Sequence, residues 1–181
     1  MTAFDKAWED TGRAEGGYVD DPSDSGGRTN FGITERVARK HGYTGHMRDL
    51  PKPLAVQIAK KAYWDVMKLD DIAALSEPVA LEMFDTGFNA GTSRSGKILQ
   101  RALSALNRLQ KDYPDVVVDG AVGNKTVSAL KAFLDKRGAE GETVMLRTLN
   151  GLQLAFYVRL VERREKDEKF LFGWISHRVK I

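Results

Sequence analysis

The sequence predicts a mainly α fold: a helical bundle carrying one small β-hairpin near its N-terminus. Two observations predict it. Apolar residues recur three and four positions apart in segment after segment, the period of a helix with one buried face. The stretch from Arg13 to Thr34 breaks that period, with four carboxylates, five glycines and one proline, and so is too polar and too interrupted to build a core.

The first helix is expected over residues 4–14, where Phe4, Ala7, Trp8 and Thr11 share a face. Gly16 and Gly17 stop it, because glycine tolerates the left-handed conformation that closes helices. Turn chemistry follows in "DPSD" and "SGG", and on either side Tyr18–Val19 and residues 29–33 can pair as the hairpin. Thr34 is a good N-cap for a helix running to about Lys40. A longer helix is expected from Lys52 to Met67. Ser76 caps the next, with Pro78 in its first turn and Val79, Met83, Phe84 and Phe88 as its stripe. "NAGTSRSG" should break that helix, and another should run from Lys97 to Leu109. "DYPDVVVDGAVG" reads as a loop with one short β-prone run. Helices near 124–135 and 140–165 follow, and the apolar ending "FLFGWISHR" should dock back on the core. No internal repeat is present.

Composition removes several classes of chemistry. The chain of 181 residues is 42% hydrophobic and 9% aromatic, enough for a packed core. It has no cysteine, which excludes disulfides, thiolate metal sites and thiol nucleophiles, and its three histidines form no HExxH pair. No cofactor and no metal are expected. No stretch reaches the ~18 apolar residues of a membrane span, so no stable membrane insertion is expected. The N-terminal residues lack a basic head followed by an apolar run. The expectation is a soluble monomer made in the cytoplasm, reaching any target outside it by a separate route. The net charge of +3 conceals an asymmetry. Residues 1–92 carry 11 basic and 15 acidic side chains, a net −4, while residues 93–181 carry 17 and 10, a net +7. Such a basic half is either a set of solvated helix faces or a surface drawn to an anionic polymer.

The polar stretch is where chemistry is expected. Glu15 falls at the end of the first helix, where the negative end of the helix dipole disfavours a carboxylate and raises its pKa. A carboxyl kept protonated near neutral pH can donate a proton to the leaving oxygen of a glycoside. The second group needed across the sugar could be Asp20, Asp21 or Asp24. The plainer reading is a solvated helix-end Glu followed by turn-forming Asp residues. A calcium loop does not fit, since the alternating ligands with Gly sixth and Glu twelfth are absent.

"EGGYVDDPSDSGGRTNFGIT", continued by "AKKAYWDVMKLDDI" and "EMFDTGFNAG", resembles the N-acetylmuramidases of glycoside hydrolase family 108, found in phage endolysins and related wall-lytic proteins. The resemblance spans about the first 90 residues. It implies a lysozyme-like α+β fold, and cleavage of the β-1,4 bond between N-acetylmuramic acid and N-acetylglucosamine in peptidoglycan. It also implies that Glu15 is the catalytic acid. Phage lysozymes of a related type place an Asp nine residues after their Glu and a Thr just before a Gly-containing strand, which maps onto Asp24 and Thr29. That second alignment is looser, and Asp20 or Asp21 remains open. Tyr18, Asn30, Trp64 and Asn89 are candidate sugar contacts, each aromatic being equally suited to core packing.

The second half, "NAGTSRSGKILQRAL…VVVDGAVGNKTVSAL", resembles a helical peptidoglycan-binding segment through its "LQ", "DG", "G" and "T". This divides the chain into a catalytic region at 1–92 and, at 93–181, either a wall-binding region or helices completing the first core. "GAVGNKT" lacks the spacing of a phosphate-binding loop. Rival functions are a lytic transglycosylase using Glu15 alone, a non-catalytic wall-binding or secretion-regulating protein, and a nucleic-acid binder. The last lacks a recognition motif.

Overall fold

The computed structural model describes residues 1–14, 17–20 and 27–180. It is mainly helical with one two-stranded antiparallel sheet among the described residues. Helix α1 spans Ala3–Ala14 and turns Phe4, Ala7, Trp8 and Thr11 inward, as their spacing predicts. Strands β1 (Thr29–Asn30) and β2 (Ile33–Thr34) pair Thr29 with Thr34 and Asn30 with Ile33. The two-residue connection has positive φ at both positions, 51° at Phe31 and 72° at Gly32, the geometry whose twist matches a hairpin. Thr34 then caps α2 (Glu35–Lys40), its hydroxyl accepting from the Val37 amide at 3.3 Å.

The helix expected at 52–67 is present but not uniform. Helix α3 (Lys52–Ala59) passes into one wide turn over Lys60–Trp64, closed by the Asp65 amide on the Lys60 carbonyl, and ends in a tight turn at Asp65–Met67. The wide turn places Trp64 five residues after Ala59 on the same buried face, and both are fully buried. The short α4 (Leu69–Ala73) leads to α5 (Glu77–Ala90), capped by Ser76. Helix α5 is the axis of the fold, packing against α1, α4, α6 and α7. Phe4, Trp64, Phe84 and Phe88 form a continuous aromatic cluster with ring centroids 5.5–5.9 Å apart, mostly edge-on or tilted.

The expected break after α5 shrinks to one residue. Gly91, at φ 93°, ends α5 and starts α6 (Thr92–Leu106), five residues earlier than the sequence spacing suggests. The β-prone run at residues 116–118 forms no strand. The Val116 amide donates to Ser104 Oγ at 3.2 Å, no described strand runs beside it, and Val117 and Val118 are exposed. The two last long helices are joined into α7 (Asn124–Arg163), kinked where Gly138 takes φ 58° and ψ −147°. Helix α8 (Glu168–Arg178) docks through Trp174, 5.3 Å from the Tyr157 ring, whereas Phe172 stays exposed.

The "LQ…DG…G…T" pattern of the second half is a structural clasp. Gln100 is buried, its amide donating to Asp119 Oδ1 at 2.9 Å and to the Ala121 carbonyl at 3.1 Å. Its own oxygen accepts from the Gly120 amide at 2.8 Å. Gly120 has φ 86°, and its carbonyl lies so close to Gly96 that a Cβ there would overlap it. These residues fasten the 107–123 loop to α6. The hydrophobic core passes from Phe4 and Ile33 through α5 to Ile98, Leu103, Leu130, Phe133 and Leu149 without interruption.

Candidate active site

The polar stretch of the sequence is anchored at both ends. The Val19 amide donates to the Thr29 carbonyl and the Thr29 amide to the Val19 carbonyl, each at 2.9 Å, so the strand segments flanking the loop are tied side by side. Buried Asn30 fixes the hairpin from beneath, its side-chain amide donating to the carbonyls of Met47 at 2.8 Å and Arg48 at 3.2 Å. The Arg48 guanidinium lies 4.9 Å from the Tyr18 ring centroid, and the His46 ring packs 5.9 Å from the same ring. The Tyr18 hydroxyl donates to Asp20 Oδ2 at 3.1 Å, and Arg28 Nε donates to the same oxygen at 3.2 Å. Asp20 is therefore engaged in an exposed ion pair with Arg28.

The candidate residues fall in different places. Glu15 and Asp24 lie outside the described residues; Glu15 follows the last residue of α1 in the chain. Thr29 and Tyr18 are partly exposed beside one another's strand segments. Asn30 is only 4% exposed and spends its amide on backbone carbonyls, so it braces the hairpin and offers no free donor to a sugar. Trp64 has no exposed surface, and its indole N–H donates to Asp70 Oδ1 at 2.8 Å; packing has claimed it, and it cannot stack on a sugar. Asn89 sits in the last turn of α5, donating to the Asp85 carbonyl at 2.8 Å. Among the described residues, no three His, Asp or Glu side chains are grouped to hold a metal ion.

A second group of titratable side chains, with no motif in the sequence to mark it, lies on α5. Glu82, Asp85 and Thr86 lie on the inner side of α5, beside a cavity of about 230 Å³ bounded also by α1, α7 and the end of α8. The visible signal was three polar residues interleaved with the apolar stripe of α5. Burial first, and then the Asp85 carboxylate, push the Glu82 carboxyl up to about 7, against Asn150, Lys180 and Thr86. Asp85 is also raised by burial, which outweighs Arg178, Gln153 and Lys180. Arg178 pairs with Asp85 at 3.1 Å, and Gln153 donates to Asp85 at 3.3 Å and to Thr86 at 2.9 Å. This cluster locks α8 and α7 onto α5.

The cluster makes stability depend on pH. Folded Glu82 holds its proton more tightly than the unfolded chain does, so stability is highest below the ordinary glutamate range and is lost as pH rises towards about 7. Glu82→Gln, which cannot ionise, should reduce that decline and be more stable than the parent above neutrality by on the order of 3 kcal/mol. Thermal melts between about pH 5 and about pH 8 check this; parallel curves for parent and variant would remove Glu82 as the cause.

Comparison with known proteins bears on the region that holds the motif. No curated protein matches the chain. Among solved structures it is similar to one described as the structure of Brucella abortus SagA, at 28% identity and a TM-score of 0.72, covering 96% of this chain and 87% of that one. Residues 8–91 match the family model Glycosyl hydrolase 108, and residues 94–179 match a "Predicted Peptidoglycan domain". A helical lysozyme-like fold thus carries a match to glycosyl hydrolase 108 over residues 8–91 and to a predicted peptidoglycan domain over residues 94–179, the make-up of a glycosidase acting on peptidoglycan.

Proposed function

We propose that this protein is an N-acetylmuramidase of the endolysin type, hydrolysing the β-1,4 bond between N-acetylmuramic acid and N-acetylglucosamine. The observation that carries the reading is the ordered motif from Glu15 to Thr34, lying within the glycosyl hydrolase region. Glu15 protonates the leaving oxygen; its place after the C-terminal residue of α1 favours the neutral acid. Asp24 supplies the second carboxylate, as base or nucleophile, with Thr29 positioning beside it. Tyr18, tethered to the loop through Asp20, borders the sugar. Residues 1–92 form the catalytic region and residues 93–181 bind the wall. The protein acts as a monomer on the wall, after synthesis in the cytoplasm and release by a separate route.

Digestion of purified sacculi followed by mass spectrometry of the products tests this reading. New ends should be reducing N-acetylmuramic acid. Ends lighter by one water would instead identify a lytic transglycosylase, and no new ends a non-catalytic binder. In the same assay Asp24→Asn should reduce turnover far more than Asp20→Asn, because Asp20 is already held by Arg28 and Tyr18. Equal small losses at both positions would point to a mechanism with one carboxylate.

A further inference from the structure

Helices α6 and α7 present basic faces to a common groove. On α6, Arg94, Lys97 and Arg101 recur three and four residues apart; on α7, Arg159 and Arg163 are four apart, so each set projects from one side of its helix. The groove between them has a volume of about 340 Å³, and no carboxylate lines it. Its floor is apolar, made by Ile98, Leu152, Phe156 and Leu160. The Arg94 guanidinium lies 4.5 Å from the centroid of the Phe156 ring, which fixes one cation at the edge of the floor.

Five cations line this groove. Elsewhere in the same half, Arg108 pairs with Asp112, Lys131 with Asp135, Arg164 with Asp167 and Arg178 with Asp85. Among the described residues none of the five forms a salt bridge. Like charges gathered without internal compensation repel one another, and the repulsion is relieved when an anion enters. Five of the 17 basic side chains of residues 93–181 thus gather at one concave place.

We propose that this groove binds the stem peptides of peptidoglycan, holding their free carboxylates between the two cationic walls and their short aliphatic side chains on the apolar floor. This assignment rests on the wall-cleaving function proposed above and names the part of the substrate that the second half grips. Concavity favours an extended peptide over a flat anionic bilayer, which cannot enter a groove. The apolar floor favours it over a sugar–phosphate backbone, which has no aliphatic groups to place there.

The experiment compares retention of the full chain on native sacculi with retention on sacculi whose carboxylates have been converted to neutral amides. The parent should bind the native sacculi about tenfold more tightly, with the difference shrinking as salt rises. Arg101→Gln combined with Arg159→Gln should bind native sacculi about tenfold more weakly than the parent and lose the discrimination, while Arg101→Lys with Arg159→Lys keeps most of it. Circular dichroism melts of both variants establish that they fold. Equal binding of the parent to both sacculi overturns the proposal, as does a double Gln variant that still discriminates. Retention on phosphatidylglycerol vesicles without discrimination between sacculi overturns it in favour of a membrane. Failure of the parent to release new glycan ends is read separately and bears on the proposed function, not on the groove.

Discussion

Glu15→Gln should lower the release of reducing ends from sacculi by at least about 100-fold while leaving the melting temperature at that of the parent. Gln keeps the size and the hydrogen-bonding reach of the side chain but has no proton to give the leaving oxygen. The magnitude follows from what positioned proton transfer contributes, about 100- to 10,000-fold. Stability is expected to hold because the aromatic cluster of Phe4, Trp64, Phe84 and Phe88 and the tether of the hairpin by Asn30 are made without residue 15. A variant that retains activity within tenfold of the parent would take Glu15 out of the mechanism. A variant that loses activity together with its melting transition would show a structural role instead.

The helices were legible because one mechanism makes them. Phe4, Ala7 and Trp8, or Val79, Met83 and Phe84, state by their spacing which side is buried, and local caps at Thr34 and Ser76 state where the helix begins. The departures arise where a non-periodic event intervenes. The wide turn at Lys60–Trp64 adds a residue to one turn and brings Trp64 inward five residues after Ala59, which a fixed period of 3.6 cannot express. Gly91 ends one helix and opens the next by itself, so the polar run after it, which reads as a loop, is the first turn of α6. The β-prone residues 116–118 had the right propensity but no partner strand, and a strand exists only in a pair.

The site was legible in a different way. The motif from Glu15 to Thr34 announced itself by what it could not do, namely build a core. Of the hairpin expected between residues 18–19 and 29–33, only the single Val19–Thr29 bridge forms among the described residues; the two-stranded hairpin lies within residues 29–34, because Phe31 and Gly32 turn the expected second strand back on itself. The buried Glu82–Asp85 cluster was hidden because its partners, Gln153 and Arg178, are 68 and 93 positions further along the chain from Asp85. No local pattern carries that information. The same limit explains Asn30, whose side chain looks free in the sequence and is consumed by carbonyls 17 and 18 residues away.

Trp64 decides how far aromatic residues in such a sequence can be read as sugar contacts. Its ring lies 5.5 Å from Phe4 and 5.8 Å from Phe84, with no exposed surface, and its N–H is satisfied by Asp70. Trp64→Ala should therefore cost about 3–5 kcal/mol, since removing a buried indole both forfeits its transfer energy and leaves a cavity among Phe4, Phe84 and the turn that carries it. Trp64→Phe should cost less, because most of the apolar contact survives and the loss is concentrated in the gap and in the unpaired Asp70 carboxylate, which can turn to water or remain near Lys60. Neither change should raise KM for a soluble glycan oligomer when both are assayed well below their melting temperatures. Thermal or denaturant unfolding gives the stability loss, and steady-state kinetics on the same samples give KM. A Trp64→Phe protein that melts like the parent but binds the oligomer several-fold more weakly would return this residue to the substrate, and would require the wide turn to open during catalysis.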